Sequence, residues 1–272
     1  MSELATWLAD AAVGDLLPWA AQQAAMAKFS LGCAQVEEAA LTGGLLPARY
    51  QRNRSTISTA GQLKLLRSGV AVVGCGGLGG YAVEQLARLG VGRLVVIDPD
   101  RFEEHNLNRQ LLSSLAELGS AKVEVAARRV AAINPAVAVT EHRVALDTAN
   151  GAALLAGVDL VIDGLDSIPA RLALAAVCAA AGLPLVHGAI GGWYGHVATQ
   201  LPGDKAVERL YDGADGPKGV EQELGNPAFT PAVVASLQVA EACKLLLGVG
   251  EPLRGRQLHL DLWSMEFLRL GS

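Results

Sequence analysis

Between residues 70 and 188 the sequence alternates short apolar runs, rich in β-branched residues, with stretches of helical character. The first run, VAVVG, is followed by glycines and then by a helical stretch from Tyr81 to Leu89, and another helical stretch from Ala121 to Ile133 ends at Asn134–Pro135. The predicted strands are residues 70–74, 93–98, 137–141, 159–163 and 183–188. Strands that alternate with helices at this spacing predict an α/β fold with a parallel sheet and right-handed crossovers.

The pattern changes beyond the fifth predicted strand. Residues 195–201 (GHVATQL) alternate between apolar and polar side chains, as an antiparallel strand does, and residues 257–262 and 265–270 form a predicted closing strand pair. Residues 202–229 contain Gly, Pro and Asp without periodicity and are predicted to form a long crossover loop before a helix at 231–247. The expected fold is therefore a doubly wound, mainly parallel Rossmann-like sheet with antiparallel C-terminal strands.

The first 48 residues differ in character from the rest of the chain. They are rich in Ala, Leu and Gln, and their apolar spacing predicts short amphipathic helices. Gly43–Gly44 and Pro47 mark the end of this helical N-terminal appendage, so residues 49–272 are predicted to form the main domain. We expect the appendage to pack on the core or on a second subunit; the alternative is that it clamps a substrate.

Composition restricts the partners and the compartment. The net charge is −5, lysine and arginine are scattered along the chain, and aromatic residues make up only 4% of it. Nucleic acid is therefore not an expected partner, because there is neither a basic stripe nor a base-stacking platform. The N-terminus lacks the basic region of a secretory signal, and residues 177–192 are too interrupted to span a membrane. We expect a cytoplasmic protein without a membrane partner.

A glycine-rich turn follows the first strand. In GCGGLG, Gly74 allows a tight turn, Gly76 lets the backbone approach a phosphate, and Gly79 lets the helix pack on the strand, with Gly77 between them. The N-terminus of the following helix offers N–H groups to that phosphate, and Asp98, at the end of the second strand, can accept hydrogen bonds from a ribose. These features alone fit NAD, FAD, S-adenosylmethionine or ATP.

The residues after Asp98 favour a triphosphate. The sequence continues with Asp100 and then with Asn106, Arg109 and Gln110, and Lys122 follows. Cleavage between the α and β phosphates leaves charge on pyrophosphate, which Arg109 can bind with two parallel hydrogen bonds and Lys122 can neutralise as a point charge. These cations favour ATP over NAD.

Two carboxylates lie at the end of the fourth predicted strand, Asp163 and Asp166. Ligands of open α/β sheets bind at the carboxyl ends of the strands, so a carboxylate near a triphosphate is a candidate Mg²⁺ ligand. The alternative is that Asp166 or Ser167 caps the next helix. Because Arg109 and Lys122 are also present in the chain, we favour the metal at Asp166.

The chain resembles the MoeB/ThiF/HesA family, whose module also forms the adenylation domains of ubiquitin-activating enzymes. The motifs that carry the resemblance are R-Y-Q-R-N (49–53), G-C-G-G-L-G (74–79), D-P-D (98–100), N-L-N-R-Q (106–110), Lys122 and D-G-L-D (163–166). The resemblance covers roughly residues 49–270. The family's final glutamine in the first motif is Asn53 here, which is a local departure.

The resemblance implies a role for each matching residue. Asp98 is expected to hold the ribose and Asp166 to orient magnesium, while Arg52 is expected to reach the phosphates from the neighbouring subunit of a homodimer. The residues expected to line the phosphates are Asn106, Arg109, Gln110 and Lys122. The implied catalytic set is Arg52, Arg109, Lys122 and Asp166.

The resemblance also implies an activity and a partner. The expected reaction is ATP-dependent adenylation of the C-terminal glycine of a small ubiquitin-like sulfur carrier, of the ThiS or MoaD kind, which ends in Gly-Gly. The alternatives are adenylation of another carboxylate, on a peptide or a modified tRNA, and a scaffold without enzymatic activity. A scaffold predicts loss of Arg109, Lys122 or Asp166, and all three are present.

Two departures from many relatives concern cysteine. The four cysteines are far apart, without the two CxxC pairs that hold zinc in those relatives, so no structural zinc is expected. The segment 219–231 lacks the cysteine of relatives that form a thioester or persulfide, so we expect the reaction to stop at the acyl-adenylate. His187, His196 and His259 lie on or beside apolar strands and are expected to be core or surface histidines.

Overall fold

A computed structural model describes residues 2–212 and 221–271 of the chain. Within them, eight strands form one sheet in the order β10-β9-β8-β7-β6-β3-β4-β5. The strands are β3 (Gly69–Val73), β4 (Arg93–Ile97), β5 (Ala138–His142), β6 (Leu160–Asp163), β7 (Leu185–Gly191), β8 (Tyr194–Gln200), β9 (Arg256–Asp261) and β10 (Glu266–Gly271). β7, β6, β3, β4 and β5 are parallel, and β8, β9 and β10 continue the sheet in antiparallel pairs. The predicted doubly wound, mainly parallel sheet with antiparallel C-terminal strands is confirmed.

Helices cover both faces of the sheet. They are α4 (Thr59–Arg67), α5 (Gly77–Leu89), α6 (Lys122–Ile133), α7 (Gly151–Leu154), α8 (Ile168–Ala181), α9 (Ala206–Leu210), α10 (Glu221–Leu224) and α11 (Phe229–Leu247). Strand β3 shows why two layers form, because its side chains alternate between the faces. Val70 and Val72 join the core beneath α5, α6 and α11, whereas Ala71 and Val73 join the core beneath α8.

The strand order locates the ligand-binding edge. From β3 the chain moves outward through β4 to β5, then returns to the other side of β3 to form β6 and β7. The connections diverge between β3 and β6, and such a switch point opens a crevice at the carboxyl ends of the strands. The glycine turn after β3 and the loop after β6 both lie at this point.

The N-terminal segment forms its own small layer. It consists of α1 (Glu3–Ala11), β1 (Leu16–Leu17), α2 (Trp19–Phe29), α3 (Cys33–Thr42) and β2 (Leu46–Pro47), with β1 and β2 paired in parallel. Leu41 and Leu46 share a hydrophobic cluster with Leu66 of α4 and Ala136. The segment is helical, as predicted, and it packs on the main domain.

A buried ion pair crosses this junction. The Glu37 side chain is fully buried, and its carboxylate lies 3.2 Å from the Arg49 guanidinium and 3.2 Å from the Tyr50 hydroxyl, which donates to it. Asn134, at the end of α6, donates to the Tyr50 oxygen at 2.7 Å and accepts from Arg49. Burial raises the pKa of Glu37, and the neighbouring Arg49 charge opposes that rise. The N-terminal layer is therefore held by polar as well as apolar contacts.

Two of the sequence predictions need correction. The segment 202–229 is not one long loop, since it contains the short helices α9 and α10; residues 213–220 lie outside the described residues. Helix α5 begins at Gly77, four residues before the predicted start at Tyr81. The low intrinsic helix propensity of glycine hid this first turn, which tertiary packing stabilises.

Helix α11 is long and apolar enough to cross a membrane, by length and composition alone. Half of its apolar window is buried, and it packs on α5 and β7. Two buried polar residues tie it to the sheet: Gln238 donates to the Asp163 carbonyl at 2.8 Å, and Glu241 accepts from Thr199 at 2.9 Å. These contacts are those of a core helix.

Candidate active site

A cavity of about 590 Å³ lies at the switch point of the sheet. Its walls come from the turn after β3, the end of β4, the start of α6 and the loop after β6. The predicted site residues that line it are Gly74, Gly76, Gly77, Asp98, Asp100, Arg109, Gln110, Lys122 and Asp166. Five of the six motifs, which are far apart in the sequence, therefore meet in one cavity of nucleotide size.

The glycine turn is shaped by close backbone contacts. Gly74 has φ +89°, and a Cβ there would lie 2.6 Å from the Gly164 carbonyl oxygen across the switch point. A Cβ at Gly79 would lie 1.7 Å from the Gly74 carbonyl oxygen. Gly79 does not line the cavity, and its contribution is the close packing of α5 on the turn, as the sequence predicted.

The first turn of α5 faces the cavity. Gly76 is the N-cap and makes no side-chain capping bond, and Gly77 and Leu78 line the cavity beside it. The N–H groups of a first helical turn have no acceptor within the helix, and the helix dipole makes this end positive. This end of α5 can therefore bind a phosphate.

Asp98 supports the turn that it faces. Its carboxylate accepts from the Cys75 N–H at 2.7 Å and from the Asp100 N–H at 2.8 Å. Burial raises the pKa of Asp98, whereas the nearby Lys122 charge and these two backbone donors oppose the rise. Asp98 thus fixes the glycine turn and also lines the cavity, where its remaining lone pairs can accept hydrogen bonds from a ligand.

Lys122 brings a charge to the cavity from the first residue of α6. Its ammonium lies 2.9 Å from the Asp100 carboxylate and 3.9 Å from the Asp98 carboxylate. The side chain is largely buried, with 8% of its surface exposed. Desolvation strengthens an electrostatic contact, so this cation can act strongly on a phosphate that enters the cavity.

Arg109, Gln110 and Asn106 come from one turn and differ in exposure. Arg109 lines the cavity and donates to the His105 carbonyl and the Asn108 side chain. Gln110 also lines the cavity, and its buried Oε1 has no hydrogen-bond partner within residues 2–212 and 221–271. Asn106 is buried and does not line the cavity. Its side-chain oxygen accepts from the Glu103 N–H, and its backbone carbonyl accepts from the backbone N–H groups of Arg109 and Gln110. Asn106 therefore shapes the turn that presents the other two.

The two carboxylates after β6 have different environments. Asp166 is exposed and lines the cavity, whereas Asp163 is fully buried behind it. Ser167 is the N-cap of α8 and makes no side-chain capping bond, and Asp166 makes none in the described parts of the chain. The helix-capping alternative is thus not observed, which leaves the Asp166 carboxylate available to a ligand.

Asp163 belongs to a ring of hydrogen bonds that sequence reasoning missed. His187 Nδ1 lies 2.6 Å from Asp163 Oδ2, and the Tyr211 hydroxyl lies 3.1 Å from His187 Nε2. Arg171 donates to the Tyr211 oxygen at 3.0 Å and to the Leu165 carbonyl at 2.9 Å. The Leu165 N–H donates to Asp163 Oδ1 at 2.9 Å, which closes the ring. We refer to these residues, Asp163, Leu165, Arg171, His187 and Tyr211, as the five-residue ring.

One sequence signal pointed to this ring. Arg171 is the only charged residue of α8, whose other positions are apolar or proline, and it lines the cavity although it is buried. His187 is buried in β7, as expected for a core histidine, and its Nε2 also lies 3.1 Å from His196 Nε2. Burial lowers the pKa of His196, and the neighbouring His187 lowers it further.

Arg52 lies outside the cavity of its own chain. It is exposed, in the turn between the 3-10 helix Ala48–Tyr50 and α4, and it does not line the cavity. Within the described residues it forms no ion pair. The predicted role of Arg52 in the site of a neighbouring subunit stays a prediction.

Comparison with known proteins identifies the family. The ThiF family profile matches residues 50–271, which is most of the chain. The chain belongs to the ThiF family. The SAMP-activating enzyme E1 of Haloferax volcanii is 40% identical over 223 residues, covering 80% of this chain and 83% of that protein. The sulfur carrier protein adenylyltransferase of Thermus thermophilus is 38% identical over 232 residues, covering 82% of this chain and 86% of that protein.

Solved structures agree on the fold of this ThiF-family protein. The crystal structure titled E. coli MccB with ATP superposes with a TM-score of 0.66 at 23% identity, covering 82% of this chain and 70% of the other. This likeness supports the architecture. Within residues 2–212 and 221–271 of the ThiF-family chain, no group of three or more His, Cys, Asp or Glu residues is placed to hold a metal ion, and the expected lack of zinc stays a prediction.

Proposed function

We propose that this protein adenylates the C-terminal glycine carboxylate of a small ubiquitin-like sulfur carrier with ATP and Mg²⁺, releasing pyrophosphate. The observation that carries the proposal is the single cavity that brings together the N-terminus of α5, Arg109, Lys122 and Asp166. A helix N-terminus and two cations suit a triphosphate, and an exposed carboxylate beside them suits its metal. The names of the two relatives support the carrier as the substrate.

The donor set of the cavity fits nucleotide and metal. Gly76 lies against Gln110, whose unpartnered Oε1 is buried, so a polar ligand there would satisfy a group that the protein leaves without a hydrogen bond. Mg²⁺ is commonly held by one or two carboxylates together with substrate phosphates and water, and Asp166 supplies one carboxylate. Bound there, Mg²⁺ would offset the charge of the phosphate oxygens.

The remaining chemistry is positioning and charge neutralisation by the chain's own residues. The carrier's terminal carboxylate is already ionised and attacks the α-phosphorus, so a new C–O–P linkage forms and the bond to pyrophosphate breaks. No residue has to act as nucleophile or base. Asp98 would orient the ribose, the first turn of α5 would hold phosphate oxygens, and Arg109 and Lys122 would stabilise the charge that develops on pyrophosphate.

A homodimer with two composite sites completes the proposal. Arg52 is exposed and does not line the cavity of its own chain. A two-fold neighbour can present Arg52 of the partner subunit to the phosphates, as an arginine finger does in phosphoryl transfer.

Calorimetry tests the choice of nucleotide. We expect ATP with Mg²⁺ to bind and NAD not to bind, because Arg109 and Lys122 match a triphosphate better than a dinucleotide. The matching activity is exchange of labelled pyrophosphate into ATP that depends on a carrier ending in Gly-Gly. Comparable affinity for NAD, or exchange that ignores the carrier, would refute the proposed function.

Replacement of all four cysteines by alanine or serine is expected to spare adenylation. Cys75 and Cys178 are fully buried and Cys33 nearly so, and burial raises the pKa of Cys178 to about 12 and that of Cys243 to about 11. Such thiols carry little thiolate at neutral pH and are poor nucleophiles. The measurement is pyrophosphate exchange by the cysteine-free protein. A carrier–enzyme adduct that thiol reagents cleave would contradict the expectation.

A further inference from the structure

The loop after β6 is held from both sides at a single residue. The Leu165 N–H donates to Asp163, and the Leu165 carbonyl accepts two hydrogen bonds from Arg171, at 2.9 and 3.2 Å. Leu165 directly precedes Asp166, which lines the cavity. Both backbone groups of Leu165 are therefore fixed, and the direction of the Asp166 side chain depends on them.

His187 and Tyr211 connect Asp163, which accepts from the Leu165 N–H, to Arg171, which donates to the Leu165 carbonyl. When His187 Nδ1–H donates to the Asp163 carboxylate, Nε2 carries a lone pair and can accept from the Tyr211 hydroxyl. The Tyr211 oxygen in turn accepts from Arg171. With this tautomer, the bonds His187–Asp163, Tyr211–His187 and Arg171–Tyr211 each join a donor to an acceptor. Such closed, buried networks rigidify the groups they contain.

The ring is better suited to hold a loop than to bind a metal. His187 Nε2, His196 Nε2 and the Tyr211 oxygen converge, and a carboxylate-backed imidazole is a common arrangement at metals. The Arg171 guanidinium, however, donates to the same Tyr211 oxygen, and a cation there repels a metal ion. Arg171 is itself buried, so solvent and salt screen its charge much less than they screen an exposed charge.

We propose that His187 is a positioning residue, which closes the five-residue ring and thereby sets the place of the Asp166 carboxylate in the cavity. This inference rests on the proposed function only in taking Asp166 as a ligand of the nucleotide-bound metal. His187 touches neither the nucleotide nor the metal, and it acts through Asp163, Tyr211 and the main chain of Leu165.

Two variants open the ring at the same bond. In His187→Asn the side-chain amide can still donate to Asp163 from the place of Nδ1, but nothing remains at the place of Nε2. Tyr211→Phe removes only the hydroxyl. His259→Asn is the matched control, because His259 is also a strand histidine but bonds to Gln257 and lies outside the ring and the cavity lining.

The test is the gain in affinity that Mg²⁺ gives to binding of α,β-methylene-ATP, measured by calorimetry with Mg²⁺ and with EDTA. We expect His187→Asn and Tyr211→Phe each to lose about tenfold or more of this gain, with metal-free affinity unchanged, because loss of a residue that orients a metal ligand costs about 10- to 100-fold. The double variant should lose no more of the Mg²⁺-dependent gain than either single variant, since both substitutions remove the same hydrogen bond between Tyr211 and His187. His259→Asn should match the wild type.

The outcomes separate this inference from the proposed function. If both variants bind the metal-free nucleotide normally and keep the full gain from Mg²⁺, or if the wild type shows no gain, His187 does not position a metal ligand. If the gain depends on the ring but carrier-dependent pyrophosphate exchange is absent, the positioning role stands and the proposed reaction is wrong.

Discussion

Asp166→Ala is expected to lower carrier-dependent pyrophosphate exchange by about a hundredfold or more while the fold is retained, because groups that act on transition-state charge contribute on that scale. Asp166 is exposed and makes no capping bond in the described parts of the chain, so its removal should cost little stability. Arg109→Ala is expected to have an effect of similar size. Initial rates of exchange, together with thermal unfolding, measure both quantities.

Glu141→Ala is the matched control for Asp166. Glu141 is another exposed carboxylate near the carboxyl end of a strand in the same sheet, but it does not line the cavity. Its removal should leave exchange unchanged. Near-normal exchange by folded Asp166→Ala protein would show that the triphosphate and its metal bind elsewhere.

Arg52→Ala is expected to abolish exchange to a still greater degree, since an arginine supplied in trans to a phosphoryl group can contribute about 10³-fold or more. The alternative is that Arg52 only forms an ion pair on the protein surface, which would contribute less than about 1 kcal/mol to stability and nothing to exchange. Arg54→Ala is the matched control, because Arg54 is two residues away, is also exposed, and pairs with Asp15. Exchange by Arg54→Ala should equal that of the wild type.

Mixing two inactive proteins tests whether Arg52 acts across an interface. In a hybrid dimer of Arg52→Ala and Asp166→Ala subunits, one composite site contains both intact residues and the other contains neither. Activity of the hybrid should return to at most about half of the wild-type value. If hybrid dimers form and activity does not return, Arg52 does not serve the site of its neighbour.

The main features of the site could be predicted from the sequence because a parallel sheet imposes a simple rule. Strand ends that carry Gly74, Asp98 and Asp166 must meet at one edge once the alternation of strand and helix is recognised. The apolar runs that define those strands are short and rich in Val and Ile, so their positions are clear in the sequence. Arg109 and Lys122 followed from the chemistry of a triphosphate and from the family resemblance.

The five-residue ring was not predictable in the same way. Asp163, His187 and Tyr211 are separated by 24 residues at each step, and their contacts depend on the packing of β6, β7 and the end of α9. No periodicity marks such contacts. Helices α9 and α10 were missed for a related reason, because helices of five and four residues are too short for a hydrophobic pattern to emerge.

The ion pair between Glu37 and Arg49 bears on how the chain can be divided. The composition of the sequence changes near residue 48, yet a chain shortened to begin at residue 49 would keep Arg49 and Tyr50 without the Glu37 carboxylate that they contact. Such a chain would also expose the side chain of Leu66 to solvent, because Leu66 packs in a hydrophobic cluster with Leu41 and Leu46. The truncation would therefore remove both the polar and the apolar contacts between the N-terminal layer and the main domain. We therefore expect a protein that begins at residue 49 to unfold at a lower temperature than the full chain, because residues 49–272 then lack these contacts.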